Sequence, residues 1–265
     1  MKKFYLIVLV LPVLFLFSAC DEDGSINIFT LQQDVDFGEE FDREMMNSPE
    51  EYPILDEYEY AAAYEHLDRI MEDLLSSDGL RYAEDFPWKV RIVEDDEMLN
   101  AFCLPGGYMY FYTGIIKYLD DEAQFAGVVA HEMAHADRRH VTKNLTKQYG
   151  FSILLSALLG DDPSTMEQIA AELALGLGNL AFSRDHEYEA DSYAVKYTAD
   201  GEWDPLGIAG FFERMEGGPQ IPEFLSTHPN PGNRIDNINE TWVEIGSPEG
   251  QAFSTRYQDF KNSLP

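Results

Sequence analysis

His131-Glu132-Met133-Ala134-His135 constrains this chain more than any other stretch, because it asks for a helix and for surroundings that can hold three polar side chains on it. Residues four apart stack on one helical face, so His131 and His135 can offer both imidazoles to one ion at the usual zinc–nitrogen distance. Glu132 is rotated about a quarter turn from His131. From there its carboxylate can reach a water on the ion and act as general base without being a ligand. A zinc hydrolase is the leading reading.

The residues around the motif argue against a chance match on a surface helix. Asp120 or Asp121 can cap it, Glu122 falls in the first turn, and Arg138, Arg139 and His140 close it, which predicts a helix from about 121 to 140. Ala123, Phe125, Ala126, Gly127, Val128, Val129 and Ala130 make the turns before His131 apolar nearly all round, as in a buried helix. Buried imidazoles and carboxylates are costly unless paired or bound to metal.

A third ligand must come from elsewhere, since catalytic zinc takes three protein ligands and leaves one position open. His140 lies about 180° round the helix from His131, so it is expected to point away as a solvated C-terminal residue. Arg138 and Val141 stand where the metzincin pattern needs Gly and a third His, which removes that option. Ser183 to Asp191 is dense in candidates, and its Glu187 and Asp191 share a helical face. A glutamate there would complete a two-His, one-Glu site, and Asp191 could accept the free ring N–H of a zinc histidine. Glu189 is expected to face solvent. Spacing alone leaves His186 and Glu189 open as ligands beside Glu187.

Four segments carry a resemblance: Asn100-Ala101-Phe102-Cys103-Leu104-Pro105-Gly106-Gly107, the His131 to His135 motif, Ser183-Arg184 to Ala190-Asp191, and Ser226-Thr227-His228-Pro229 with Arg234. The chain resembles the HtpX-like and CAAX-prenyl-protease-like zinc metallopeptidases, peptidase family M forty-eight, and among them the small soluble bacterial members of the cell envelope. The likeness spans roughly residues 60 to 240. It implies an α+β, mainly helical, zincin-like fold whose active-site helix packs beside a small β-sheet, one Zn²⁺, and protein or peptide substrates. It also implies Glu187 as third ligand, with Asp191 following it. Cys103 departs from the small aliphatic residue more usual at its position.

Lys2 and Lys3, an apolar run from Phe4 to Phe17, and Ser18-Ala19-Cys20 have the layout of a secretory signal peptide, too short to span a bilayer comfortably. Cys20 resembles the cysteine of a bacterial lipobox, which implies a lipoprotein signal peptide over 1–20 and a periplasmic or outer-membrane lipoprotein attached by its acyl chains. Phe17, where Leu is usual, leaves an uncleaved anchor or plain secretion open. Cys103 is the only other thiol, so no disulfide forms within a chain whose Cys20 carries lipid. A formal charge of -31 at pH 7 excludes a nucleic-acid groove and favours a soluble monomer.

Residues 21–58 read as an acidic linker leading into a packed helical segment, and 59–265 as one metallopeptidase domain that opens with a helix from Glu59 to Ser77. Lys89 to Val93 and Tyr108 to Tyr112 are strand-like, on either side of the Pro105-Gly106-Gly107 turn. With the edge strand that the resemblance implies, an extended peptide would pair near Asn100 to Tyr110. Phe151 to Gly160 and Ile169 to Phe182 read as core helices of a hairpin, the alternative being a lid hinged at Gly176 and Gly178.

Thr227-His228-Pro229-Asn230-Pro231 is a rigid loop. The resemblance gives His228 one of two roles, stabilising the oxyanion or acting as a displaceable fourth zinc ligand; a plain surface residue is the third reading. These residues favour a zinc metalloendopeptidase of cell-envelope proteins in which His131, His135 and Glu187 hold the ion and Glu132 is the base. The rival is a zinc-stabilised lipoprotein that binds or chaperones outer-membrane proteins without turnover. Glu132 counts against it, because a structural site needs no base.

Overall fold

An aromatic-rich run, Tyr108 to Tyr112, makes the central strand of a three-stranded sheet in the computed structural model, which describes residues 26–150, 181–217, 222–229 and 232–265. The leader with Cys20 and the hairpin residues 151–180 lie outside the described residues. The strands are β1 (Lys89–Val93), β2 (Ala101–Leu104) and β3 (Tyr108–Tyr112), in the spatial order β1-β3-β2. β1 runs parallel to β3, Lys89 opposite Tyr108, and β2 runs antiparallel to it, Leu104 opposite Tyr108. Gly106 (φ 74°) and Gly107 (φ 82°) turn the β2–β3 hairpin through the left-handed region that a side chain would strain. The aromatic strand is internal, and the outer position, where the resemblance implies an edge strand, goes to β2, four residues too short to announce themselves by periodicity.

Alternation along β3 divides its buried side chains between two layers. On one face Tyr110 donates its hydroxyl to Asp42 at 2.6 Å; on the other Phe111 meets Phe125 edge-on at 5.4 Å. The first layer is α1 (Leu31–Met46), whose start is fixed by a reciprocal capping box between Thr30 and Gln33. Phe37, Phe41 and Met45 of α1 are core residues, so the acidic segment holds a docked helix from residue 31 onward.

The second layer is α4 (Glu122–Asp137), preceded by α2 (Ala61–Leu75) and α3 (Thr113–Tyr118). Asp121 caps α4 by accepting from the Gln124 amide, and every residue from Phe125 to Asp137 is buried, as the all-round apolar pattern requires. After α5 (His140–Tyr149) come α6 (Arg184–Ala199), α7 (Gly207–Gly217), α8 (Pro222–Thr227), α9 (Arg234–Glu244) and α10 (Ser254–Asn262). α6 and α7 pack on α4, and α9 closes over both. The α4–α7 approach depends on glycine: a methyl on Gly207 would stand 2.1 Å from the Ala123 carbonyl oxygen. No helix among the described residues is long and apolar enough to cross a membrane.

α4 does not run on to 140. It stops at Asp137, Arg139 takes a left-handed conformation (φ 60°, ψ 34°), and α5 restarts at His140 in a new direction. A non-glycine residue held there costs of order 1 kcal/mol or more and persists only when its surroundings fix it. Here the Arg139 guanidinium donates to Asp34 at 2.5 Å and to the Phe29 carbonyl at 2.5 Å, so the N-terminal segment holds the turn.

Glu122 joins the far end of α4 to its neighbours. It is fully buried and accepts from Arg69 at 3.0 and 2.7 Å, from Trp203 Nε1 at 2.9 Å, and from Arg256 Nε at 2.8 Å and its Nη2. Glu122→Gln removes the charge that pairs both arginines and is expected to cost about 2 kcal/mol. The check is urea unfolding, where the midpoint should fall at an unchanged slope; an unaltered midpoint would mean that solvent satisfies Arg69 and Arg256.

Candidate metal centre

The motif lies in the last turns of α4, facing the start of α6, where Ser183 caps the helix by accepting from the His186 amide. α8 brings the third element: His228 directly follows it, and its ring stacks on Phe224 at 4.6 Å. One ligand atom each from His131, His135, Glu187 and His228 lies within 4.8 Å of every other, and all four residues are buried.

The spacing has a definite shape. His131 Nε2 is 3.0 Å from His135 Nε2, 3.3 Å from His228 Nδ1 and 3.6 Å from Glu187 Oε2. Glu187 Oε1 is 3.6 Å from His135 Nε2 and 3.3 Å from His228 Nδ1. Bonds of about 2.0–2.1 Å from zinc to nitrogen or oxygen give a tetrahedron roughly 3.3 Å on an edge, which these separations approach, Glu187 turning one oxygen to His131 and the other to His135 and His228. Their chemistry fits as well, because neither oxygen of Glu132 or Glu187 has an aligned hydrogen-bond donor although both residues are fully buried. Arg234 Nη1 lies 2.7 Å from Glu187 Oε2 as an ion pair only.

A second ring of contacts fixes these side chains. Asp191 Oδ1 is 3.0 Å from His131 Nδ1, and buried Arg234 donates to both Asp191 oxygens at 2.7 and 2.5 Å. Burial pushes the carboxyls of Asp191 and Glu187 up, but the Arg234 guanidinium, with His228 foremost for Glu187, outweighs it and both stay below the usual carboxylate range. Burial, and after it His131, His140 and His228, hold His135 well below the usual histidine value, which keeps its imidazole neutral and able to ligate. Burial also pulls His228 down, but the Glu132 and Glu187 charges overcome it and the net shift is upward. Glu132 Oε1 stands 3.4 Å from His228 Nε2, outside the donor cluster.

Of two expectations for the neighbouring residues, one does not hold and the other holds in part. His140 is not solvated but buried, with Nδ1 2.9 Å from His135 Nδ1, because the turn at Arg139 swings it back toward the site that a continuous helix would carry it away from. Glu189 is only partly exposed, and it turns one oxygen inward: its Oε2 is 3.2 Å from His140 Nε2. His186 stacks on the His140 ring at 4.2 Å rather than entering the donor cluster. Arg234, quoted from the sequence only as a distant marker, is the largest missed contributor, since nothing local to it tells that α9 will thread its guanidinium between Glu187 and Asp191. Cys103 is buried on β2; burial, then the charge of nearby Glu132, pushes its thiol well up and leaves it protonated.

Two histidines one turn apart and a glutamate from a second helix form the donor set of zinc metalloproteases, and a further glutamate beside the first histidine is the base of that motif. In agreement, residues 61–242 match the model of Peptidase family M48, and the chain belongs to that family. It is 32% identical over 151 residues to the mitochondrial metalloendopeptidase OMA1 of Arabidopsis thaliana, covering 56% of this chain and 30% of that protein. It is 28% identical over 224 residues to the human mitochondrial metalloendopeptidase OMA1, covering 72% and 42%. To the beta-barrel assembly-enhancing protease of Escherichia coli it is 27% identical over 186 residues, covering 63% and 38%. The matched region thus spans about a third to a half of the length of these relatives.

Arg234→Ala leaves Glu187 and Asp191 buried without their cation. In the metal-free protein the substitution is expected to cost about 3–5 kcal/mol. Thermal unfolding in the presence of a chelator measures it, and a melting temperature equal to the parent's would show that the two carboxylates do not need the guanidinium.

Proposed function

We propose that the chain is a zinc-dependent metalloendopeptidase in which His131, His135 and Glu187 hold the ion, Glu132 is the general base and Asp191 orients His131. The observation that carries this reading is the tetrahedral convergence of buried donors with a second buried carboxylate, Glu132, alongside. Two imidazoles and a carboxylate suit zinc better than the hard cations, which take oxygen donors. Bound there, zinc supplies a water of lowered pKa and polarises the scissile carbonyl. The chain's own residues do the rest. Glu132, whose carboxylate accepts no aligned hydrogen bond and lies 3.4 Å from His228 Nε2, takes the proton from the attacking water and passes it to the leaving amine nitrogen. Asp191 accepts the Nδ1 proton of His131 and so keeps Nε2 bare for ligation.

The substrate would lie along β2. The Tyr112 amide donates to the Asn100 carbonyl, so Phe102 and Leu104 spend their backbone groups on β3 while Ala101 and Cys103 direct theirs to the outer edge. No strand covers that edge among the described residues. An extended peptide can add there beside α4, within reach of Glu132. The lipobox-like Cys20 and the bacterial relatives named beta-barrel assembly-enhancing protease support substrates in the cell envelope and attachment there by lipid.

His228 bears on whether the site is open. Its Nδ1 lies 3.3 Å from His131 Nε2 and 3.3 Å from Glu187 Oε1, which supports the displaceable-ligand role, and with it a latent enzyme, over the oxyanion role. The same geometry favours a second reading, the binding lipoprotein, since four permanent protein donors are the mark of a structural zinc site. Cleavage of an unfolded protein by the zinc-loaded chain decides between them. Glu132→Gln should bind zinc normally and lose at least about a hundredfold of the turnover, and His228→Ala should raise basal proteolysis. If neither the parent nor His228→Ala cleaves when loaded with zinc, the enzyme reading falls and the binding role stands.

A further inference from the structure

Beyond the groups given a part in the reaction, one chain of buried polar contacts leads away from the metal centre. His135 directs Nε2 into the donor cluster, so its ring proton sits on Nδ1. That N–H faces His140 Nδ1 at 2.9 Å, which must then be the bare nitrogen of its ring. His140 accordingly carries its proton on Nε2, and Glu189 Oε2 accepts it at 3.2 Å. The tautomers follow from the network rather than from seen hydrogens, and only this assignment gives each contact one donor and one acceptor.

The two metal-ligand histidines are thus supported differently. His131 meets a carboxylate directly, Asp191 at 3.0 Å. His135 meets one only through a second imidazole. His140 is wholly buried and held from two sides, by the His186 ring stacked nearly parallel to it 4.2 Å away, and by the left-handed turn at Arg139 that Asp34 and the Phe29 carbonyl fix. A histidine merely filling space would need neither a ring nitrogen aimed at His135 nor a carboxylate behind it.

We propose that His140 and Glu189 are positioning residues that act in series on His135, fixing its tautomer and ring plane and so strengthening metal binding. This role presupposes the metal site proposed above. Outer partners of this kind contribute about 10–100-fold in metal affinity.

Zinc affinity is measured by competition with a chromophoric chelator, with metal content per chain and the melting temperature of the chelator-treated protein recorded for each variant. The parent should bind one zinc and His135→Ala should lose it. His140→Phe should keep one zinc per chain but bind it about 10–100-fold more weakly. His140→Asn, which returns an acceptor oxygen near the position of Nδ1, should recover most of the loss. Glu189→Ala, at a partly exposed position where folding is not at risk, should weaken binding in the same direction by less. Because the two act in series, the double variant His140→Phe/Glu189→Ala should bind no more weakly than His140→Phe alone. Parental affinity in both single variants overturns the relay, as do losses that add in the double variant. Should the parent bind no zinc, or His135→Ala bind it as tightly, the metal site itself fails and takes the relay with it.

Discussion

The balance of charge in the seam between α4, α6 and α9 governs the rest of this structure. Glu132, Glu187 and Asp191 bring three formal negative charges into it and Arg234 returns one positive, all four residues being buried. The difference is two negative charges, which is what one divalent cation neutralises. Desolvating an ion is repaid only by an opposite charge held in good geometry, so no surrounding element is free to move independently. Arg234 commits α9 to α6 through Asp191 and Glu187, and the histidines commit α4 to both. The apolar face of α4 then does ordinary work, packing Phe125 on Phe111 of the sheet.

The sheet follows from that commitment. With α4 fixed by its polar end, β3 must be covered on one side by a helix that is already full of chemistry and on the other by whatever the chain can supply. α1 supplies it, through Phe37, Phe41 and Met45 and through Asp42 beneath the Tyr110 hydroxyl. The same N-terminal segment reaches round to Arg139. One piece of chain thereby stabilises the back of the sheet and the turn that returns His140 to the centre, so the residues before the family-matched region bear on the site.

How much of this was legible depends on whether the signal was local. His131, Glu132 and His135 declare themselves within one helical turn, and the cap at Asp121 and the all-round apolar pattern fix where that helix begins and how deep it lies. β1 and β3 fell where composition put them. What stayed hidden was set by distant contacts. Spacing measured round an ideal helix sent His140 away from the centre, because nothing in Arg138-Arg139-His140 says that Arg139 will leave the helical region; that depends on Asp34, a hundred residues earlier in the chain. Glu189 keeps part of its surface in solvent, but the histidine that its inward oxygen meets is equally invisible to local spacing. Among Glu187, His186 and Glu189, spacing offered no choice; the fold separates them by what each one meets, the donor cluster, a stacked ring and a histidine nitrogen.

His228 poses the last physical question, because a fourth donor this near the other three, if it ligates as proposed, would compete with substrate for the same corner. A ligand carried on the chain has no concentration to dilute away, so activity is scaled by the fraction of time that the corner stands open. If that fraction is about 1%, freeing the corner can raise turnover by about 100-fold and no further. The lever for opening lies close by. His228 follows the six-residue helix α8 and is held there by the Phe224 ring, by a backbone bond from its amide to the Phe224 carbonyl at 2.8 Å, and by the charges of Glu132 and Glu187. Glu132 faces His228 Nε2 at 3.4 Å, so with the roles proposed for them, withdrawing the histidine would free the corner and the base together. On the displaceable-ligand reading proposed for His228, latency and catalysis are two settings of one side chain, and the cost of switching is a metal–histidine bond set against the contacts a substrate would make along β2.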